Sequence, residues 1–256
     1  AQRITRAKQK IKNAGIPYRV PSATDLPSRV ATVLSVLYLV FNEGYLASSG
    51  GAPIREDLTA EAIRLGRILR TLLPDEPEVA GLLALMLLTE ARRRTRVAGG
   101  ELIPLHEQDR GGWDRELIAE GHELVRECLQ RNQPGRYQIL AAINAVHTDA
   151  RDVRATDWSQ VVALYDQLAR LDPSPIVRLN RAIAVAELDG PHVGLAQVDG
   201  LPLEGYHAYH ATRAELLRRL GRYRESRAAY ERAITLAGNT AETAYLIRRR
   251  DQLTDP

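Results

Sequence analysis

Residues 208–238 read AYHATRAELLRRLGRYRESRAAYERAITLAG, and this stretch decides the fold. Small Ala214 stands where two helices must touch closely, Gly221 supplies the turn, and Tyr223, Tyr230, Ala233 and Ile234 carry a second helix. The same helical period runs through almost every other segment, and strand-like alternation is almost absent. The spacing predicts helices at about 2–14, 28–46, 58–72, 77–97, 114–131, 136–149, 158–171, 175–188, 206–220, 222–237 and 240–253. Gln133-Pro134-Gly135, Asp172-Pro173 and Asp189-Gly190-Pro191 break the chain between helices, and Asp75-Glu76-Pro77-Glu78 reads as a capping-box start with Pro in the first turn. The expected fold class is all-α.

From about residue 136 the pattern repeats. Asp157-Trp158 and Pro191-His192 lie 34 residues apart, and Gly190 and Gly221 lie 31 apart, each introducing the second helix of a pair. Residues 157–173, DWSQVVALYDQLARLDP, place Trp158, Tyr165, Leu168 and a closing Pro173 in the second half of such a unit. With 208–238, these residues resemble the tetratricopeptide repeat (TPR) over about 136–253, with a degenerate stretch at 191–204 where the second helix is too short. The resemblance implies a helical bundle followed by a right-handed superhelix, because one helix pair cannot bury its apolar face alone. It also implies a concave face able to take a peptide or partner protein.

The 256 residues are 45% hydrophobic and 26% charged, enough for a full core. The net charge is +3, yet the first twenty residues hold six basic side chains and no acidic one, so the remaining 236 sum to about −3. Arg3, Arg6, Lys8, Lys10 and Lys12 interleave with Ile4, Ala7 and Ile11 as an amphipathic basic helix that stops at Gly15 and Pro17. Nothing before Ala1 caps it, which leads us to expect an upstream segment in the gene product. Residues 15–27 contain three prolines and suit a semi-rigid linker. The organisation expected is a basic, nucleic-acid-facing helix at 1–14, the linker, a helical extension at 28–135 with an ordered loop at 98–112, and repeats at 136–256. Cys128 lies alone inside a helical pattern, fitting a structural position in a reducing cytoplasm. The longest apolar runs, at 33–41 and 79–88, fall short of the roughly 20 residues a membrane span needs.

Two middle blocks hold a candidate site. Tyr38, Asn42, Glu43 and Tyr45 gather at one helix end, Arg92, Arg93 and Arg96 end another, and Gln108, Asp109, Arg110 and Trp113 sit on the long loop. An Arg–carboxylate network pinning the loop is one reading, and a small-ligand pocket or partner surface is the other. His122-Glu123 begins like a zinc-protease motif, but Arg126 stands where the second imidazole belongs. His207 and His210 lie one turn apart among packing rings, which favours a core role over a metal. Phosphate-loop, nucleophile-elbow and dinucleotide patterns do not occur, so neither enzyme activity nor a metal or cofactor is expected.

Three blocks in order, AQRITRAKQKI with GIPYRVP, then VLYLVFNEGY (36–45), then EARRRTRVAGGELIPLHEQDRGGWD (90–114), resemble one family. This is the extracytoplasmic-function (ECF) sigma factors that carry a C-terminal TPR-like extension. The resemblance implies that the first block ends the helix reading the −35 promoter element, with Gln2, Arg3, Thr5, Arg6 and Lys8 nearest DNA. Arg and Gln read base edges, whereas Lys and Thr contact phosphates. The implied partners of the complete protein are core RNA polymerase and promoter DNA, without a membrane. The competing expectation is a cytosolic TPR adaptor that binds a peptide or protein and never touches DNA.

Overall fold

Helix α3 (Pro77–Glu90) is apolar on every side, and all its residues from Val79 to Thr89 are buried. Such a helix must be enclosed. In the computed structural model, which describes residues 6, 9–10, 13–14, 26–47, 54–98 and 101–253, α2 (Glu56–Leu72), α5 (Arg115–Arg131) and α6 (Arg136–Asp149) pack around it. Gly121 lets α5 approach closely, since a Cβ there would lie 2.6 Å from Leu88 Cγ.

The chain divides into two compact units, residues 1–36 and 37–256. In the first, Arg6, Gln9, Lys10 and Asn13 are helical and exposed, and Gln9 Nε2 donates to Asn13 Oδ1 at 2.8 Å. The rest of the 2–14 helix and most of the 15–27 linker lie outside the described residues. Helix α1 (Leu26–Tyr45) begins in the first unit and ends in the second.

The start of α3 departs from the capping-box expectation. Pro77 does occupy the first turn, but Glu76 at the N-cap makes no side-chain hydrogen bond. Glu78 instead caps a different helix. Its Oε2 accepts from the Tyr137 backbone N–H at 3.0 Å, and its Oε1 from Gln138 N–H at 3.2 Å and Gln138 Nε2 at 3.1 Å. Gly135 brings no side-chain acceptor to the start of α6, so its first N–H groups need one from elsewhere.

The helix expected to run to 97 stops at Glu90. Asp114 N–H takes the Ala91 carbonyl at 2.9 Å, which a continuing helix would have used, and the chain turns into the single-turn helix α4 (Arg93–Arg96). Strand β1 (Val97–Ala98) then pairs antiparallel with β2 (Glu101–Leu102), Val97 opposite Leu102. Two 3-10 turns, Leu105–Glu107 and Arg110–Gly112, follow β2, and Gly99 and Gly100 of the stretch 98–112 lie outside the described residues.

Beyond α6, helices α7 (Trp158–Leu171), α8 (Pro175–Leu188), α9 (Pro191–Asp199), α10 (His207–Arg219), α11 (Tyr223–Leu236) and α12 (Thr240–Asp251) each pack on the next. Helix α9, nine residues long, is the short second helix of the degenerate stretch. In the deciding pair, Gly221 takes φ +73°, a left-handed conformation that suits glycine, at the turn between α10 and α11. Ala214 is fully buried between them, Ser226 Oγ donates to its carbonyl at 2.8 Å, and Tyr230, Ala233 and Leu217 fill the same core. Among the described residues the architecture is all-α apart from one hairpin of two-residue strands.

Candidate functional site

The candidate residues separate into three groups. The first locks the loop. Arg110 Nη1 donates to the His147 and Ala150 carbonyls at 2.5 Å each, serving the C-terminal end of α6, where backbone carbonyls lack partners. The Arg110 guanidinium lies 4.7 Å from the Trp113 ring, and Trp113 Nε1 donates to Thr95 Oγ1 at 3.0 Å. Asp109 Oδ1 accepts from Gly111 N–H at 2.8 Å and fixes the second 3-10 turn. The loop is therefore pinned, but Arg110 uses backbone carbonyls where an Arg–carboxylate network was expected.

The second group is an ordinary ion pair. Arg93 Nε lies 2.7 Å from Glu90 Oε1, and the same guanidinium also meets Glu56. Tyr38 stands apart from both groups, edge-on to the Tyr137 ring at 5.5 Å, and Asn42 and Glu43 are half-buried.

The third group faces a cavity of about 360 Å³. Tyr45, Arg92, Arg96 and Gln108 line it together with His207, Ala208, Ala211, Glu242, Tyr245 and Leu246 from α10 and α12. Arg96 stacks on the Tyr45 ring with its guanidinium carbon 3.4 Å from the centroid. Arg92 Nη2 donates to Asn144 Oδ1 at 2.8 Å, and Gln108 Nε2 to the Ile103 carbonyl at 2.9 Å. The Nε of Arg92, Nη1 of Arg96 and Oε1 of Gln108 are buried without a hydrogen-bond partner. Burial pushes the Arg92 guanidinium down to about 10, and does the same to Arg96 although the Glu242 carboxylate partly opposes it.

A second cavity, of about 540 Å³, opens beyond Leu105 and is lined by Arg110, His147, Trp158, Tyr165 and Asn180. Burial, then the charges of Arg92 and Arg110, push the His147 imidazole down to about 4, so it is neutral at neutral pH.

Gln2, Arg3, Thr5 and Lys8 lie outside the described residues, and Arg6 is helical and exposed. His210 Nε2 lies 2.8 Å from the Glu204 carbonyl, and His207 Nδ1 lies 3.8 Å from Glu242. Cys128 is buried, with its thiol pushed up to about 11, first by burial and then by Glu127 and Glu78. Among the described residues no cluster of His, Cys, Asp or Glu could hold a metal, and no helix is long and apolar enough to cross a membrane. Sequence reasoning missed Asn144, His147, His207 as a cavity wall, Glu242 and Tyr245. These lie more than 35 residues from the loop or helix end they face, and no local pattern marks them.

Residues 29–129 match a family of unknown function (DUF6596). An uncharacterized protein of Rhizobium meliloti (strain 1021) is 47% identical over 255 residues, covering 98% of this chain and 60% of that protein. The chain thus spans 60% of that relative's length. The crystal structure of a thermophilic TPR protein of Thermus thermophilus matches with a TM-score of 0.57 at 18% identity, over 86% of this chain and 96% of that one. The helical fold is therefore TPR-like.

Proposed function

We propose that this chain is the C-terminal regulatory part of an ECF sigma factor, acting in transcription initiation, with its TPR-like body modulating sigma activity through intramolecular or partner contacts. One observation carries the reading furthest: two of the three blocks behind the sigma resemblance, 36–45 and 90–114, are in contact with each other. Arg96 stacks on Tyr45, and Trp113 is hydrogen-bonded back to Thr95. The remaining block, first in the sequence, contributes Arg6 on an exposed helical stretch, as DNA reading requires. The mechanism is a shift of population: contacts made by the body favour or disfavour the state in which the recognition helix engages the promoter.

The sign of regulation is better tested by point substitutions than by truncation. Cutting at residue 136 would strip α6 from α3 and leave part of an all-apolar helix uncovered.

The reading is tested by promoter binding of core polymerase loaded with the complete gene product, followed across salt concentrations. Lys8→Ala is expected to weaken binding and to reduce the slope of log K against log salt by about 1, as loss of one phosphate contact does. An unchanged slope and affinity would remove the DNA-reading role and leave the TPR adaptor, which the fold accommodates equally well.

A further inference from the structure

The cavity of about 360 Å³ falls in the size range of small-molecule sites, about 300–1,000 Å³. Its wall is divided by chemistry. Leu102, Ile103, Pro104, Ala211 and Leu246 form an apolar portion, whereas Arg92, Arg96 and Gln108 form a polar one. A buried guanidinium normally finds a carboxylate or saturates its N–H groups, because an unpaired buried charge is costly. Here the side-chain partner of Arg92 is the neutral amide of Asn144, and the face of Arg96 rests on Tyr45. The Nε of the first and Nη1 of the second are left without an acceptor.

A stacked guanidinium keeps its N–H edge for an in-plane acceptor, the geometry that matches a planar carboxylate. Glu242 is the one carboxylate on the lining, and it already receives Asn239 Nδ2 at 2.9 Å. Two guanidiniums against one carboxylate leave a single positive charge, which suits a monoanion.

We propose that this cavity binds a small organic monocarboxylate, its carboxylate between Arg92 and Arg96 and its apolar body against residues 102–105 and Leu246. The inference stands on the cavity and does not depend on the transcription reading.

The test is isothermal titration and thermal unfolding of the 256-residue chain with octanoate, 4-phenylbutyrate and indole-3-acetate, each beside its primary amide. At least one carboxylate is expected to raise Tm and bind with Kd near or below about 1 mM, its amide about tenfold more weakly or worse. Arg96→Gln should cost about tenfold in carboxylate affinity. Ala208→Leu, which fills the cavity and leaves both guanidiniums in place, should abolish binding while circular dichroism stays unchanged. It guards against misfolding of the Arg96 variant. Absence of binding by all three carboxylates at about 10 mM, equal binding of the amides, or unaltered binding by Ala208→Leu would each overturn the proposal.

Discussion

Leu88→Ala is expected to destabilise the protein by about 3–5 kcal/mol, read as a fall in the urea midpoint with the slope preserved. Leu88 is fully buried on α3 and faces Gly121 of α5, where no side chain exists to move into the space. A cavity that cannot collapse keeps the full penalty, which puts the cost in the upper part of the range for Leu→Ala. Gly121→Ala alone should also destabilise, by about 1–3 kcal/mol, through overpacking against the intact Leu88. Combined, the two changes should cost less than their sum, because the new methyl enters the vacated volume. Strict additivity would show that α3 and α5 do not meet at this point.

The second large effect is expected at Glu215. Its carboxylate receives Arg218 Nη2 at 2.6 Å, Arg249 Nη2 at 2.7 Å and the Tyr230 hydroxyl at 3.1 Å. Burial raises the carboxyl pKa, but the hydrogen bonds from Arg218 and Arg249 outweigh it and hold the value at about 2. The folded value lies below the unfolded one, so Glu215 contributes stability that is present above about pH 4.5 and lost as pH falls through about 2. Glu215→Gln should cost about 2–3 kcal/mol at pH 7, a figure reduced for partial solvent access. Below pH 4.5 the two proteins should converge, because the wild type then loses what the variant already lacks. Urea melts at pH 7, 4.5 and 2.5 check this, and a constant difference across the series would refute it.

These two sites show what the chain discloses locally and what it withholds. Ala214, Gly221 and Tyr230 announce the last helix pair because packing, turn and core residue all fall within one 31-residue stretch. The apolar run at 79–88 likewise announces a buried helix, since only enclosure tolerates such a surface. Glu78 misleads because its position after Pro77 suits a capping box, whereas the N–H groups it accepts from lie at Tyr137 and Gln138. The end of α3 escapes the sequence pattern because the backbone of Asp114, a partner invisible to periodicity, takes the Ala91 carbonyl.

The candidate site is legible in halves. Arg92, Arg96, Tyr45 and Gln108 stand out by type and clustering, and they do share a cavity. Its other wall comes from His207, Glu242 and Tyr245, brought over by the stacking of α10 to α12, which no spacing within the loop reports. Arg93 meets carboxylates as expected, but two other arginines find partners of a different kind, an amide for Arg92 and helix-end carbonyls for Arg110. Residue type identifies the donors but leaves their acceptors open.

The sigma reading is put at stake by run-off transcription with core RNA polymerase supplemented with the complete gene product, wild type beside Arg3→Ala/Arg6→Ala. Promoter-directed transcripts are expected with the wild type and their loss with the double variant, at unchanged circular dichroism. A complete gene product that neither binds core polymerase nor starts transcription, across salt conditions and promoters, would contradict it and turn attention to peptides for the TPR-like body.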